Sequence, residues 1–116
     1  MAAFTIYHNP RCSKSRATLA LLREAGIEPQ IVEYLETPPS AARLKDIVAR
    51  LEIKPEQLVR KSENIYKSKY AGKTLTDAQW IDAMAAHPIL IERPIVVSGK
   101  HAVLGRPPEN VLQLID

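Results

Sequence analysis

Cys12 is the one cysteine of this chain, and it stands in the stretch YHNPRCSKSR. Its neighbours are Arg11 and Ser13, with Lys14 and Arg16 close behind and no acidic residue before Glu24. A thiol in such company suits nucleophilic chemistry better than core packing, since structural cysteines prefer apolar strands or mid-helix positions. The spacing also excludes several chemistries. A C-x-x-C redox pair needs a second thiol at position 15, where Ser15 stands. A C-x-x-x-x-x-R phosphatase loop needs arginine at position 18, which is Thr18. His8, His87 and His101 are scattered, so with one cysteine they make a weak metal-ligand set. A Cys–His protease pairing with His8 has nothing in the sequence to supply a polypeptide cleft.

The elements around Cys12 decide whether the thiol can act. FTIY, residues 4–7, reads as a strand, and Thr18, Leu21, Leu22 and Ala25 recur at helical spacing up to the stop at Gly26. A helix over 13–25 therefore opens immediately after Cys12. Its first N–H groups have no partner within the helix, and together with the dipole they favour a thiolate there. QIVEY, residues 30–34, reads as a second strand, and a strand–helix–strand unit of this length implies parallel strands joined by a right-handed crossover.

The middle of the chain is helical in pattern. Ser40 is a candidate N-cap for a helix with Leu44, Ile47, Val48 and Leu51 along one face, and Pro55 opens a short helical segment. Residues 61–73 are lysine-rich and irregular, with a helical turn. Thr76 and Gln79 form a capping-box pattern for a helix that stops at His87-Pro88. Strands follow at 89–91, 95–97 and 102–104, and Pro107-Pro108 opens a last helix. The expectation is one α/β domain over residues 1–116, a mixed sheet flanked by helices, with a helical insertion at about 37–87 between the second and third strands.

Composition limits the classes of function. The 116 residues are 46% hydrophobic and 25% charged, as in an ordinary globular domain. No apolar run approaches the ~20 residues of a membrane span, and MAAFTIYH lacks the features of a secretion signal. One cysteine cannot close an internal disulfide, so a reducing, cytoplasmic setting is expected. The net charge of +3 by itself favours neither nucleic acid nor a small anion. The basic residues, however, fall in three windows: 11–23, 60–73 and 93–106. These windows could converge on one anion or be independent solvated faces.

Four motifs carry a resemblance. YHNPRCSKSR around Cys12, LVRKSE around Arg60, ERPIVV around Arg93 and GRPPENV around Arg106 resemble, in order and spacing, the ArsC family of glutaredoxin-coupled arsenate reductases. The resemblance implies a thioredoxin-like fold with Cys12 as the nucleophile that attacks arsenate. It implies that Arg60, Arg93 and Arg106 bind the oxyanion, that Pro94 is the cis-proline beside the thiol, and that His8 and Ser15 are supporting hydrogen-bond partners. Planar guanidinium forks suit a tetrahedral oxyanion, and each basic window supplies one of these arginines. With a single thiol in the chain, the resemblance implies glutathione as co-substrate and glutaredoxin as partner. It implies no bound cofactor and no metal, a cytoplasmic monomer, and no membrane or nucleic-acid contact. Two other readings stay open: a glutathione-dependent thiol reductase of the YffB type and an Spx-like regulatory module. Spx-like proteins usually carry a C-x-x-C switch, which Ser15 removes here.

Overall fold

The computed structural model describes residues 3–115. The described chain falls into two compact units. One is formed by the chain up to Thr37 and from Arg93 onward, the other by Pro38–Glu92.

The first unit is built on a four-stranded sheet of β1 (Phe4–His8), β2 (Gln30–Glu33), β3 (Ile95–Ser98) and β4 (His101–Leu104), in the order β2-β1-β3-β4. β2 lies parallel to β1, with Ile6 opposite Ile31 and His8 opposite Glu33. β3 lies antiparallel to β1, with Ile6 opposite Val96, and β4 continues antiparallel through a turn at Gly99, whose φ is +60°. The sheet is therefore mixed, as the strand–helix–strand opening and the final hairpin together require.

Period-two alternation decides what each face does. Ile6 and Val96 point to the face that receives helix α1 (Ser13–Glu24) and pack there with Leu19, Leu22 and Val111. Helix α1 ends where Gly26 adopts φ +81°, a conformation that costs glycine little. The last segment, Pro108–Leu114, also meets α1, but it is a 3-10 helix where the sequence pattern led us to expect an ordinary helix. Its start, a proline pair with an Asn110 side chain bonded back to the Leu104 and Arg106 carbonyls, winds it tightly from the outset.

The second unit is helical. It contains α2 (Ala41–Leu51), a 3-10 turn at Pro55–Leu58, α3 (Asn64–Lys69) and α4 (Asp77–Ala86). Ser40 caps α2 by accepting the Arg43 N–H, and both bonds of the Thr76/Gln79 capping box are present. Trp80 is buried, with the rings of Tyr66 and Tyr70 beside it at 6.3 and 6.0 Å. The strand expected at 89–91 is not one. Pro88–Leu90 is a 3-10 turn, and only Ile91 makes a bridge, antiparallel to Val59. Proline at the start of the run sets a turn, and three apolar residues cannot by themselves distinguish a strand from a buried turn. Among the described residues no helix is long and apolar enough to cross a membrane.

Two substitutions test this arrangement. Leu22→Ala should lower the unfolding free energy by about 2–5 kcal/mol, as a fully buried leucine requires. Thr76→Ala should cost only about 1 kcal/mol through loss of the cap. Denaturant titration of both variants checks the ranking, and equal losses would contradict it.

Candidate active site

The turn between β1 and α1 is a small hydrogen-bonded knot. Cys12 is the N-cap of α1, with extended backbone (φ −96°, ψ 122°), and its carbonyl accepts the first helical bond from the Arg16 N–H at 3.0 Å. Its own N–H is used by the Asn9 carbonyl at 3.0 Å, while its side chain makes no capping bond. Most N-cap residues spend their side chain on the helix end. Here the thiol is left free and partly exposed, beside N–H groups that have no helical partner.

Asn9 holds this turn together. Besides its carbonyl bond to Cys12, its side-chain oxygen accepts the Arg11 N–H at 3.0 Å and its own N–H donates to Ser15 Oγ at 3.0 Å. Ser15 Oγ is in turn 2.7 Å from His8 Nδ1, and both side chains are buried. One donor of Arg16 bonds the Pro10 carbonyl at 2.8 Å. His8 and Ser15 are thus bonded to each other and, through Ser15 Oγ, to the Asn9 backbone of the turn. The sequence reading did not single out Asn9, although Asn-Pro between a strand and a helix is itself a turn signal.

Arg93 and Arg106 belong to the same unit. Arg106 donates through Nη1 to the Arg93 carbonyl at 3.2 Å. The Arg93 Nε is buried and has no hydrogen-bond partner among the described residues. Both Arg93-Pro94 and Arg106-Pro107 are cis, the first as the resemblance implied for Pro94. The Gly105 N–H donates to the Pro94 carbonyl at 2.9 Å, tying the two arginine segments together. They are also held against α1. A Cβ on Gly105 would collide with Thr18 Oγ1 and would lie 2.7 Å from Pro94 Cγ. Thr18, fully buried, anchors its hydroxyl on the Lys14 carbonyl at 2.8 Å. Neither Thr18 nor Gly105 was legible as a site-forming residue, because their contact is made between distant parts of the chain.

Arg60 lies in the second unit. Its N–H donates to the Leu90 carbonyl, and its guanidinium is held by Glu63 at 2.8 Å and Glu92 at 3.1 Å. Among the described residues no group of three or more His, Cys, Asp or Glu is arranged to hold a metal ion.

Residues 7–114 match the model of the ArsC family. The chain belongs to the ArsC family. It is 50% identical over 112 residues to the uncharacterized protein YfgD of Escherichia coli K12, covering 95% of this chain and 94% of that one. It is 47% identical over 116 residues to an arsenate reductase of Escherichia coli, covering 99% of this chain and 82% of that one. Among solved structures, the arsenate reductase from Vibrio cholerae superposes with a TM-score of 0.95 at 48% identity, covering 98% of each chain. The mixed sheet with its helices is thus that of the ArsC and thioredoxin-like proteins.

Two outcomes follow for this ArsC-family turn. Burial lowers the His8 pKa below the ordinary 6.5; Glu33 opposes the shift, and Arg23 and Arg16 reinforce it. Below pH 6.5 the unfolded chain therefore takes up a proton that the folded one resists. The His8 contribution to stability should be complete above that pH and be lost as pH falls through the lowered folded value. Urea midpoints measured between about pH 7 and pH 5 should fall more steeply in the wild type than in His8→Gln. Gly105→Ala should cost about 1–3 kcal/mol of stability through overpacking against Thr18 and Pro94. The added cost of Gly105→Ala should be smaller in a Thr18→Ala background, where the colliding hydroxyl is gone.

Proposed function

We propose that the chain is an arsenate reductase in which Cys12 is the nucleophile and Arg60, Arg93 and Arg106 bind the oxyanion. The observation that carries this reading is the free Cys12 thiol at the N-cap of α1, in the unit where the Arg93 Nε is buried and unpaired. Such a nitrogen is costly to leave without an acceptor, and an oxyanion oxygen supplies one. The arsenate reductases among its relatives, 43–47% identical over nearly all of this chain, support the substrate.

In this mechanism the Cys12 thiolate attacks arsenic(V), an S–As bond forms, and one arsenate oxygen leaves as water after protonation. The arginines and the open N–H groups at the start of α1 offset the negative charge. The chain has no second thiol, so a glutathione thiolate attacks the Cys12 sulfur. The S–As bond breaks with its electron pair on arsenic, which leaves as arsenic(III), arsenite. The product on the enzyme is a Cys12–glutathione disulfide, which glutaredoxin returns to the thiolate by exchange. No metal or bound organic cofactor takes part. A monomer in the reducing cytoplasm, where both thiol reagents are maintained, fits this scheme. His8, Ser15 and Pro94 shape the turn and the arginine segment.

A second reading has one observation in its favour. Arg60, with its charge already met by Glu63 and Glu92, offers an anion less than a free guanidinium would. A glutathione-dependent thiol reductase acting on another substrate would need no such charge. Ser15 in place of a second cysteine argues against an Spx-like switch.

An assay with arsenate, glutathione, glutaredoxin and an NADPH recycling system separates these. Arsenate-dependent NADPH consumption is expected in the wild type and should vanish in Cys12→Ser. Arg93→Ala should raise the KM for arsenate by more than about tenfold, the size of a lost charged hydrogen bond, while Cys12 remains open to alkylation. Arg60→Ala should also weaken turnover. A wild type that is inert toward arsenate although Cys12 alkylates would decide for the second reading.

A further inference from the structure

Arg60 and Glu92 meet because the backbone makes them diagonal neighbours. Val59 and Ile91 form an isolated antiparallel bridge. It is flanked by the Arg60 N–H on the Leu90 carbonyl at 2.6 Å and the Glu92 N–H on the Leu58 carbonyl at 2.8 Å. In that register residues 60 and 92 share one face, and Val59 and Ile91 are buried on the other. The backbone is thus fixed at both positions, while the two charged side chains can still rearrange.

The two carboxylates on Arg60 are not equivalent. Glu63 Oε2 accepts a hydrogen bond from Nη1 at 2.8 Å. Glu63 is also the N-cap of α3, yet its side chain makes no cap bond, so that carboxylate is given to the guanidinium. Glu92 Oε1 lies 3.1 Å from Nε, but the two atoms are not aligned for a hydrogen bond, and both are buried without one. That contact is one of charge alone. A guanidinium offers two forks, Nε with Nη2 and Nη1 with Nη2. Glu63 holds the second through Nη1, Glu92 merely covers the first, and Nη2 has no hydrogen-bond partner among the described residues. The cluster carries one positive and two negative charges, and Lys61 does not relieve it, being paired with Glu56 at 3.0 Å. Of the two carboxylates Glu92 has the weaker hold. Its side chain is 28% exposed against 17% for Arg60, which leaves it a way out to solvent.

We propose that Glu92 is a displaceable placeholder on Arg60: it covers the Nε–Nη2 fork until two oxygens of a tetrahedral dianion take that fork. This rests on the reading of Arg60 as an oxyanion ligand, and it names the edge that the oxyanion uses and the group that it must displace. The oxyanion supplies the aligned acceptor that Nε lacks and a first acceptor for Nη2. Glu63 keeps its bond to Nη1 and holds the guanidinium in place. Substrate therefore binds Arg60 against an internal competitor, and Glu92 sets its affinity below what Arg60 and Glu63 alone would give.

A double-mutant cycle tests this, read by the arsenate KM and by binding of sulfate, a tetrahedral dianion that Cys12 does not reduce. Glu92→Gln should lower the arsenate KM about fivefold, the upper range for a charge pair near the surface, with kcat changed by less than about twofold. In an Arg60→Gln background the same substitution should leave KM nearly unchanged. A gain of equal size in both backgrounds would reveal plain charge repulsion and overturn the proposal. Asp82→Asn, exposed on α4, should leave KM unchanged and so controls for net charge. Titrated into 15N-labelled wild type, sulfate should shift the Arg60 Nε–H resonance, and Glu92→Gln should reach the same shift at about fivefold less sulfate. An Nε–H resonance that does not move in either protein would also overturn the proposal. If the wild type does not turn over arsenate yet sulfate moves that resonance as stated, the arsenate reading fails while the role of Glu92 stands. If arsenate is turned over but Glu92→Gln changes neither KM nor the sulfate midpoint, the role of Glu92 fails alone.

Discussion

The bonds that Asn9 and Ser15 make across the β1–α1 turn determine where the helix starts, and with it the environment of the only thiol. A helix N-terminus exposes several N–H groups whichever residue begins it. Shifting the start by one residue would rotate Cys12 by about 100° around the axis and remove it from those groups. Asn9 prevents this by engaging residues 11, 12 and 15 at once. Ser15 has its hydroxyl fully occupied between a backbone donor and the His8 ring. The serine that stands where a redox pair would have its second cysteine is thus a buried structural member of the turn, not a vacant version of that pair.

The arginine side of the unit depends on close packing. Arg93 and Arg106 extend from segments joined by the Gly105 N–H bond to the Pro94 carbonyl, and Gly105 rests on Thr18 of the same helix that Cys12 caps. One helix therefore sets the thiol at its start and supports the guanidinium segments a turn and a half later. Packing of Leu19 and Leu22 against Ile6 and Val96 keeps that helix on the sheet. Burial of such side chains contributes roughly 1.5–3 kcal/mol each, so the site inherits its placement from the core and not from its own polar contacts.

Much of this was legible in the sequence. The β1-α1-β2 opening, the position of Cys12 at the helix start and the Thr76/Gln79 capping box follow from local periodicity and capping chemistry, which act over a few residues. Where local signals were ambiguous the reading failed. Ile89-Leu90-Ile91 is apolar in any structure, and Pro88 turned it into a 3-10 turn. The last segment was legible as helical but not as 3-10, because the Asn110 bonds that wind it are tertiary. The pairing of Thr18 with Gly105 was hidden for the same reason: 87 residues separate them, and neither residue type signals it alone. The charges were also only half readable. Arg60 was visible as a cation, but its partners Glu63 and Glu92 include one residue far along the chain.

A free, partly exposed thiol at a helix start has a further consequence when the chain meets peroxide. Oxidation of Cys12 yields a sulfenic acid, and this chain offers no second thiol with which it could condense. Proteins with a resolving cysteine trap that state as an internal disulfide and can be rescued. Here the next oxidation step, to the sulfinic acid, is opposed only by whatever small thiol arrives first. The cellular thiol pool is therefore the chain's protection against irreversible damage.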